Sequence, residues 1–427
     1  MLKMLKSTDK HEIASRLLCR GKGDFAAEQK AVDAIIKDVR ENGDKSLFAY
    51  TKQFDCFDAD ASSIQVSDAE IESAFAQVDG EFISIMQKSA DNITAFHSRQ
   101  IRKDWFMEQE GRILGQLYRP VEKAGVYVPG GKAAYPSSVL MNIIPAKCAG
   151  VPNIYVATPA QNGKVNPATL VAARIAGADK LYKMGGAQAI AAFAYGTKTV
   201  PKVDVIAGPG NIYVALAKKA VFGNVGVDMI AGPSEILILA DTSANPRCIA
   251  ADFLSQAEHD ELAASVLVTD SEALAEAVSK EVAVQMECLP RRDIVRKSIE
   301  RYGTVILAKD MDDAINVANE FAPEHLEICT KDPKEILPKI KNAGSIFLGE
   351  YSPEPLGDYF AGPNHVLPTN GTARFSSPLN VDNFQKKSSV IYYSKEEFQK
   401  VYSDIQKFAQ KEGLDAHARA ATIRFEN

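Results

Sequence analysis

The sequence predicts an α/β protein: two Rossmann-like, incompletely doubly wound α/β domains with a cleft between them, plus small helical segments at the N- and C-termini. Three observations carry that expectation. From about residue 124, short apolar runs alternate with helical runs across glycine or proline turns, the rhythm of a mostly parallel sheet with helices on its faces. The rhythm occurs twice, before and after about residue 235. The chain has 427 residues, 46% hydrophobic and 24% charged, ordinary values for a folded chain of two or three domains and unlike a disordered or fibrous one.

The N-terminal hundred residues read as helices. Val32, Ile35, Ile36 and Val39 repeat on one helical face, with Gly43 as the stop. Ser67 and Glu70 form a capping box ahead of a second helix, and Phe82, Ile85, Met86, Ala90, Ile93 and Phe96 mark a third. His97, at its end, reads as a surface or capping residue.

The first α/β series follows. Ala124–Val128 is a strand closed by Pro129, Gly130 and Gly131, and Ile154–Thr158 is another. Asn166 and Pro167 supply an N-cap and a first-turn proline, and Gly177 ends that helix. Leu181–Met184 leads through Gly185 and Gly186 into the helix Ala187–Tyr195. Val203–Ala207 leads through Gly208, Pro209, Gly210 and Asn211 into Ile212–Val221. In the second series the expected strands are Glu235–Ala240, Ala264–Thr269, Thr304–Ala308 and Gly344–Leu348. The tail from about 377 carries a charged helical stretch, 395–411, and is too short for a core of its own, so it packs on this chain or on a second copy.

Charge and cysteine usage exclude several classes. Forty-nine basic against 55 acidic residues leave a net charge of −6, no general footprint for nucleic acid or an anionic membrane. No apolar run approaches the ~18–20 residues of a spanning helix, and the start lacks the apolar stretch of a secretory signal. The six cysteines are scattered without a C-x-x-C pair, so reduced thiols in a cytoplasm are expected.

The chemistry concentrates in the turns and histidines. Three glycine turns at strand ends, beginning at Pro129, Gly185 and Gly208, are candidate phosphate sites, although none is a full G-x-G-x-x-G and tight turning alone would explain them. Gln256 and His259 lie three apart at the end of a helix opened by Asn245 and Pro246. Asp358 and His417 could join them in a cysteine-free donor set suited to Zn²⁺ with open positions. Pro323 should end the helix that begins near 311, leaving Glu324 and His325 in a loop or strand start. A carboxyl beside an imidazole offers two proton carriers of different pKa. A polar pair at a strand edge is the structural alternative, and for both to face one substrate the backbone must be irregular.

Long motifs in a fixed order make the chain resemble the histidinol dehydrogenase family. They are YVPGG at 127–131, MGGAQAIAAFAYGT at 184–197, GPGN at 208–211, DMIAGPSEIL at 228–237 and LSQAEHD at 254–260, then APEHLEI at 322–328, GDYFAGPNHVLPT at 357–369 and GLDAHARA at 413–420. The resemblance implies one Zn²⁺ per subunit on Gln256, His259, Asp358 and His417, an acid/base pair of Glu324 and His325, and NAD contacts at Tyr127, Gln188 and Asn211. It implies substrate contacts at Ser234, His365 and Glu412, besides His325 and the four metal ligands. The implied reaction is oxidation of L-histidinol through bound L-histidinaldehyde to L-histidine, with NAD as acceptor, in the last two steps of histidine biosynthesis.

The expected domains are residues 1–25 as an N-terminal extension, 26–123 with 236–376 as a discontinuous α/β domain bearing the catalytic and metal residues, 124–235 as the NAD-binding domain, and 377–427 as a tail. The tail is expected to dock across a homodimer and complete the partner's site. A relative oxidising another polar alcohol, such as a sulfonated diol, is the alternative; His365 and Glu412 speak against it. A zinc hydrolase would not need the glycine turns, and an inactive NAD-binding regulator would be expected to lack Glu324 or His325. A thiohemiacetal route through Cys329 is disfavoured, because a buried strand thiol is its ordinary reading.

Overall fold

The computed structural model describes residues 2–18, 20, 25–130, 135–230 and 232–426. Cys19 and Gly131 of the first glycine turn lie outside the described residues. The strands, in chain order, are β1 (Lys3–Lys6), β2 (Trp105–Gln109), β3 (Arg112–Pro120), β4 (Lys123–Tyr127), β5 (Asn153–Thr158), β6 (Lys180–Lys183) and β7 (Val205–Ala207). They continue as β8 (Gly226–Val227), β9 (Glu235–Ala240), β10 (Ala264–Thr269), β11 (Thr304–Leu307), β12 (His325–Cys329), β13 (Ser345–Leu348) and β14 (Gln385–Tyr393). The chain divides into two compact units, Met1–Gln100 with Val121–Phe384, and Ile101–Pro120 with Gln385–Asn427.

The first unit contains both expected α/β series. One sheet is five-stranded and parallel, in the order β6-β5-β4-β7-β8. The other is six-stranded and parallel, in the order β1-β11-β10-β9-β12-β13. Every residue of β9 and of β10 is buried, because helices cover both faces of a parallel sheet, and this is why those strands are continuous apolar runs. The five-stranded sheet starts at its centre, β4, and turns first one way to β5 and β6, then the other to β7 and β8. That reversal creates a crevice at the C-terminal ends of β4 and β7.

Local sequence accounts for most helix ends. Val32, Ile35, Ile36 and Val39 are the buried face of the helix Ala26–Asn42, whose last amide bonding continues into Gly43 at φ 57°. The Ser67–Glu70 capping box is formed in both directions. Asn166, Asn211, Asn245 and Ser271 each accept a backbone N–H in the first turn of their helices.

Two local expectations need correction, and one sheet was not anticipated. His97 is buried, not a surface residue: its Nδ1 lies 2.8 Å from Gln100 Oε1, and Asn364 lies beside its other nitrogen. The N-terminal region is not all helical, because β1 adds an edge strand to the six-stranded sheet through pairing with β11. A hairpin, β2 and β3, follows the third helix, and β14 pairs with β3 along nine residues to make an antiparallel sheet in the second unit. Residues 105–109 are all exposed and so lack the in–out alternation that marks a half-buried strand.

Candidate active site

The residues expected to be the acid/base pair sit at the N-terminal edge of the six-stranded sheet. Ser234 precedes β9, and Glu324 and His325 open the neighbouring parallel strand β12. A helix that follows a parallel strand runs back toward the strand's start. The helix Pro246–Ala257, after β9, therefore returns Gln256 to that same edge, and the helix Glu354–Tyr359, after β13, returns Asp358.

The irregular backbone needed at the Glu324–His325 pair is present. The helix Met311–Phe321 ends on Ala322 in the left-handed region, φ 51° and ψ 61°. Pro323 excludes the right-handed region for Ala322, and the chain takes this sharp turn instead of extending. Glu324 thus lies one residue outside the regular strand, and both side chains point into the same buried space, with Glu324 Oε2 3.7 Å from His325 Nδ1. Glu324 Oε2 accepts the Glu235 N–H at 2.8 Å. His325 Nδ1 lies 3.2 Å from the Glu235 carbonyl, and a carbonyl can only accept, so Nδ1 carries the proton and Nε2 the lone pair. Nε2 is buried without a hydrogen-bond partner, 4.0 Å from Asp358 Oδ1.

Burial sets the protonation of the pair. Loss of solvent pushes Glu324 well above the usual carboxyl range and lowers His325 to about 3. His325 is therefore a neutral imidazole with a free basic nitrogen at pH 7, and the Glu324 carboxyl beside it holds its proton more tightly than an exposed one. His365 follows the same rule, lowered by burial to about 4, with Nδ1 donating to the Asp358 carbonyl at 3.0 Å and Ser138 Oγ 3.3 Å from Nε2. A cavity of about 280 Å³ opens among His325, Phe347, Asp358, His365 and Leu367.

A group of possible metal ligands adjoins this cavity. Ligand atoms of His259, Glu354 and Asp358 all lie within 4.8 Å of one another. Gln256 Nε2 is 3.2 Å from His259 Nδ1, and the buried Gln256 Oε1 has no partner. A fully buried amide oxygen left unpaired is costly, and a cation among these oxygen and nitrogen donors would satisfy it. Three of the four expected ligands, Gln256, His259 and Asp358, are therefore brought together in a set that fits a zinc ion. Sequence reasoning missed Glu354. It is buried, accepts from Ser255 Oγ at 3.2 Å, and its carboxyl is pushed up by burial together with that of Asp358. Its spacing of four from Asp358, on one helix face, was the available signal.

The expected cofactor contacts lie at the crevice of the five-stranded sheet. Tyr127 ends β4, and its hydroxyl accepts the Gly186 N–H at 3.1 Å. Gln188 is fully buried, and neither polar atom of its side chain has a partner. Asn211 caps the helix Ile212–Val221 through Oδ1. Gly208 has φ 117°, and a Cβ there would come within 2.1 Å of the Tyr127 carbonyl. This glycine is required by close backbone approach as well as by turning. Two helix starts at the strand ends, a close backbone turn at Gly208 and an unsatisfied buried glutamine fit a dinucleotide with its phosphates.

Glu412 and His417 belong to the second compact unit. Glu412 ends the helix Tyr402–Lys411 and His417 lies on Asp415–Thr422, both exposed, with Gly413 at φ 74° reversing the chain between them.

Comparison with known proteins shows the family of the chain. The family described as Histidinol dehydrogenase matches residues 18–425. Proteins named histidinol dehydrogenase from Bacillus licheniformis and Bacillus subtilis are 57% and 55% identical to the chain. The first alignment covers 93% of each chain, the second 96% of this chain and 97% of the relative. A crystal structure of histidinol dehydrogenase from Elizabethkingia anophelis superposes with a TM-score of 0.92 at 38% identity, over 99% of this chain and 98% of that one.

Proposed function

The chain belongs to the histidinol dehydrogenase family and is an NAD-dependent oxidoreductase acting on histidinol in histidine biosynthesis, and from that premise we propose how its own residues do the work. The reaction is the four-electron oxidation of L-histidinol to L-histidine through L-histidinaldehyde held in one site, with two NAD⁺ used in turn. Gln256, His259, Asp358 and His417 hold one zinc ion per subunit, and Tyr127, Gln188 and Asn211 hold NAD. When bound, the metal supplies a fixed anchor for the substrate's imidazole and amine, and NAD⁺ supplies the hydride acceptor.

His325 Nε2, neutral and facing the cavity, takes the alcohol proton in the first oxidation, while its Nδ1–H stays on the Glu235 carbonyl. Before the second oxidation His325 and Glu324 each release a proton to solvent; the Glu324 carboxylate then takes a proton from the water that adds to the aldehyde, and His325 Nε2 accepts the hydroxyl proton of the resulting hydrate as the second hydride leaves. Ser234, His365 and Glu412 orient the substrate. His365 is fixed for that task by its two neighbours, Asp358 and Ser138. Cys329 plays no part, since burial raises its thiol far from the thiolate form.

Residues 124–235 make the NAD-binding half, residues 26–123 with 236–376 the catalytic and metal half, and 377–427 a tail that docks on a second copy. The active unit is then a homodimer with two composite sites, each taking Glu412 and His417 from the partner. The second unit's own surface supports this: Trp105, Phe106, Met107, Ile391, Tyr392 and Phe408 are all exposed in the single chain, large apolar side chains that a partner could cover. The five described cysteines are unpaired, which supports a reducing cytoplasm. Among the described residues no helix is long and apolar enough to cross a membrane.

The observation that carries the reading is the buried His325 Nε2, a free base held beside Asp358 in the cavity. NADH formation should require histidinol, cease after chelation and return with stoichiometric Zn²⁺. Chelated, metal-free enzyme with undiminished turnover would overturn the metal assignment.

A further inference from the structure

The groups of the acid/base pair converge on one short backbone stretch, Ser234–Glu235. Its N–H at 235 holds Glu324, its carbonyl at 235 orients His325, and Ser234, the expected substrate contact, directly precedes them. The sheet holds one side of that stretch, the Ala264 N–H donating to the Ser234 carbonyl at 3.1 Å, and a side chain holds it from another direction. The holding group comes from the opposite end of the sequence. Arg20, in the N-terminal segment that the family motifs leave unassigned, has a fully buried side chain. Its Nη1 donates to the Ser234 carbonyl at 3.2 Å and to the Leu262 carbonyl at 3.1 Å. Its Nη2 pairs with the Glu235 carboxylate, and its Nε donates to the Leu17 carbonyl at 2.9 Å. The guanidinium also lies over the Tyr302 ring, 5.7 Å from its centre. A planar fork of fixed donors can bridge a carboxylate and several carbonyls at once, which an ammonium cannot.

We propose that Arg20 is a positioning residue of the active site: it clamps the Ser234–Glu235 stretch from behind, so that the main chain of 235 holds Glu324 and His325 at their working separation. The N-terminal segment is thereby part of the catalytic apparatus, although it touches no substrate. This rests on the reading of Glu324 and His325 as the acid/base pair. Misplacement of such groups by ~1 Å costs on the order of 10²-fold in rate.

Three variants of the full-length, zinc-loaded enzyme test it. R20K keeps the charge beside Glu235 but loses the fork. R20M/E235Q removes both buried charges together, which spares the fold the penalty of an unpaired one. Both should keep a cooperative thermal transition and a KM for NAD⁺ within about 3-fold, while kcat for histidinol falls by about 10²-fold, the pattern of a loss confined to the reacting step. In R20G, added guanidinium at millimolar concentration should restore part of kcat by refilling the vacated space. Folded R20K and R20M/E235Q with kcat within about 3-fold of the parent would overturn the proposal. So would failure of every variant to fold, which would assign Arg20 to core stability alone. The parent enzyme, assayed alongside, separates the two readings: if it fails to reduce NAD⁺ with histidinol, the fault lies in the functional assignment and not in Arg20.

Discussion

Replacing Glu324 by glutamine isolates its proton chemistry from its structural role. The Glu324 side chain is buried, and Oε2 accepts the Glu235 N–H at 2.8 Å. A glutamine amide oxygen can accept the same N–H in the same volume, so the hydrogen bond survives and stability should change by less than about 1 kcal/mol. Burial raises the carboxyl and so disfavours its charged form, and a neutral amide in its place adds no new buried charge. What is lost is the capacity to take a proton from water, worth on the order of 10²- to 10⁴-fold, or about 3–5 kcal/mol of barrier at ~1.36 kcal/mol per decade. The loss should fall on the second oxidation. Supplied with isolated histidinaldehyde, E324Q should turn over at least about 10²-fold more slowly than the parent. Supplied with histidinol, it should still reduce the first NAD⁺ and release aldehyde that a hydrazine reagent can trap. Stopped-flow NADH absorbance, with thermal melts to confirm the fold, reads both phases. Undiminished oxidation of histidinaldehyde by a folded E324Q would remove Glu324 from water activation.

Other outcomes follow from the same geometry. For the shared site, H325A and H417A should each be nearly inactive, yet chains refolded together at random should recover roughly a quarter of parental activity, because half the dimers carry one intact site of two. Heterodimers without recovery would place the tail on its own chain. Alkylation, or C329S, should leave turnover unchanged, since burial raises the Cys329 thiol away from thiolate; inactivation by C329S would revive a thiol route. For pH, His365 is lowered by burial to about 4 while an unfolded histidine titrates near 6.5. The unfolded chain therefore takes up a proton that the folded one refuses, and stability is lost as pH falls from 6.5 toward 4. The loss approaches about 3 kcal/mol for this residue at ~1.36 kcal/mol per unit. Denaturant titrations of the metal-free protein at neutral and acid pH should show a shallower acid loss in H365N; an equal loss would mean that His365 is solvated.

What the sequence alone determined was whatever depends on neighbours along the chain. The alternation of apolar strands with capped helices is local, so the parallel α/β character and the glycine turns at 185–186 and 208–211 could be read directly. The capping box at Ser67 and the break at Pro323 are local too. The candidate site residues could be named for another reason: the motifs around Gln256, Glu324 and Asp358 belong to a family that the chain matches at high identity across nearly its whole length. Residues without such a motif were invisible. Edge strand β1 needed β11, some 300 residues away, to become a strand, and β14 needed β3. Burial of His97 depended on Asn364 and the elements around it. Glu354 became a candidate ligand only when its helix was packed against the end of another, beside Ser255 and His259. The tertiary structure also decided which edge of the six-stranded sheet carries the chemistry. Helices return antiparallel to their strands, so Gln256 and Asp358 meet Glu324 and His325 at the N-terminal edge. The sequence supplies each of these groups, but a shift in protonation needs burial, and burial is a property of packing between distant segments.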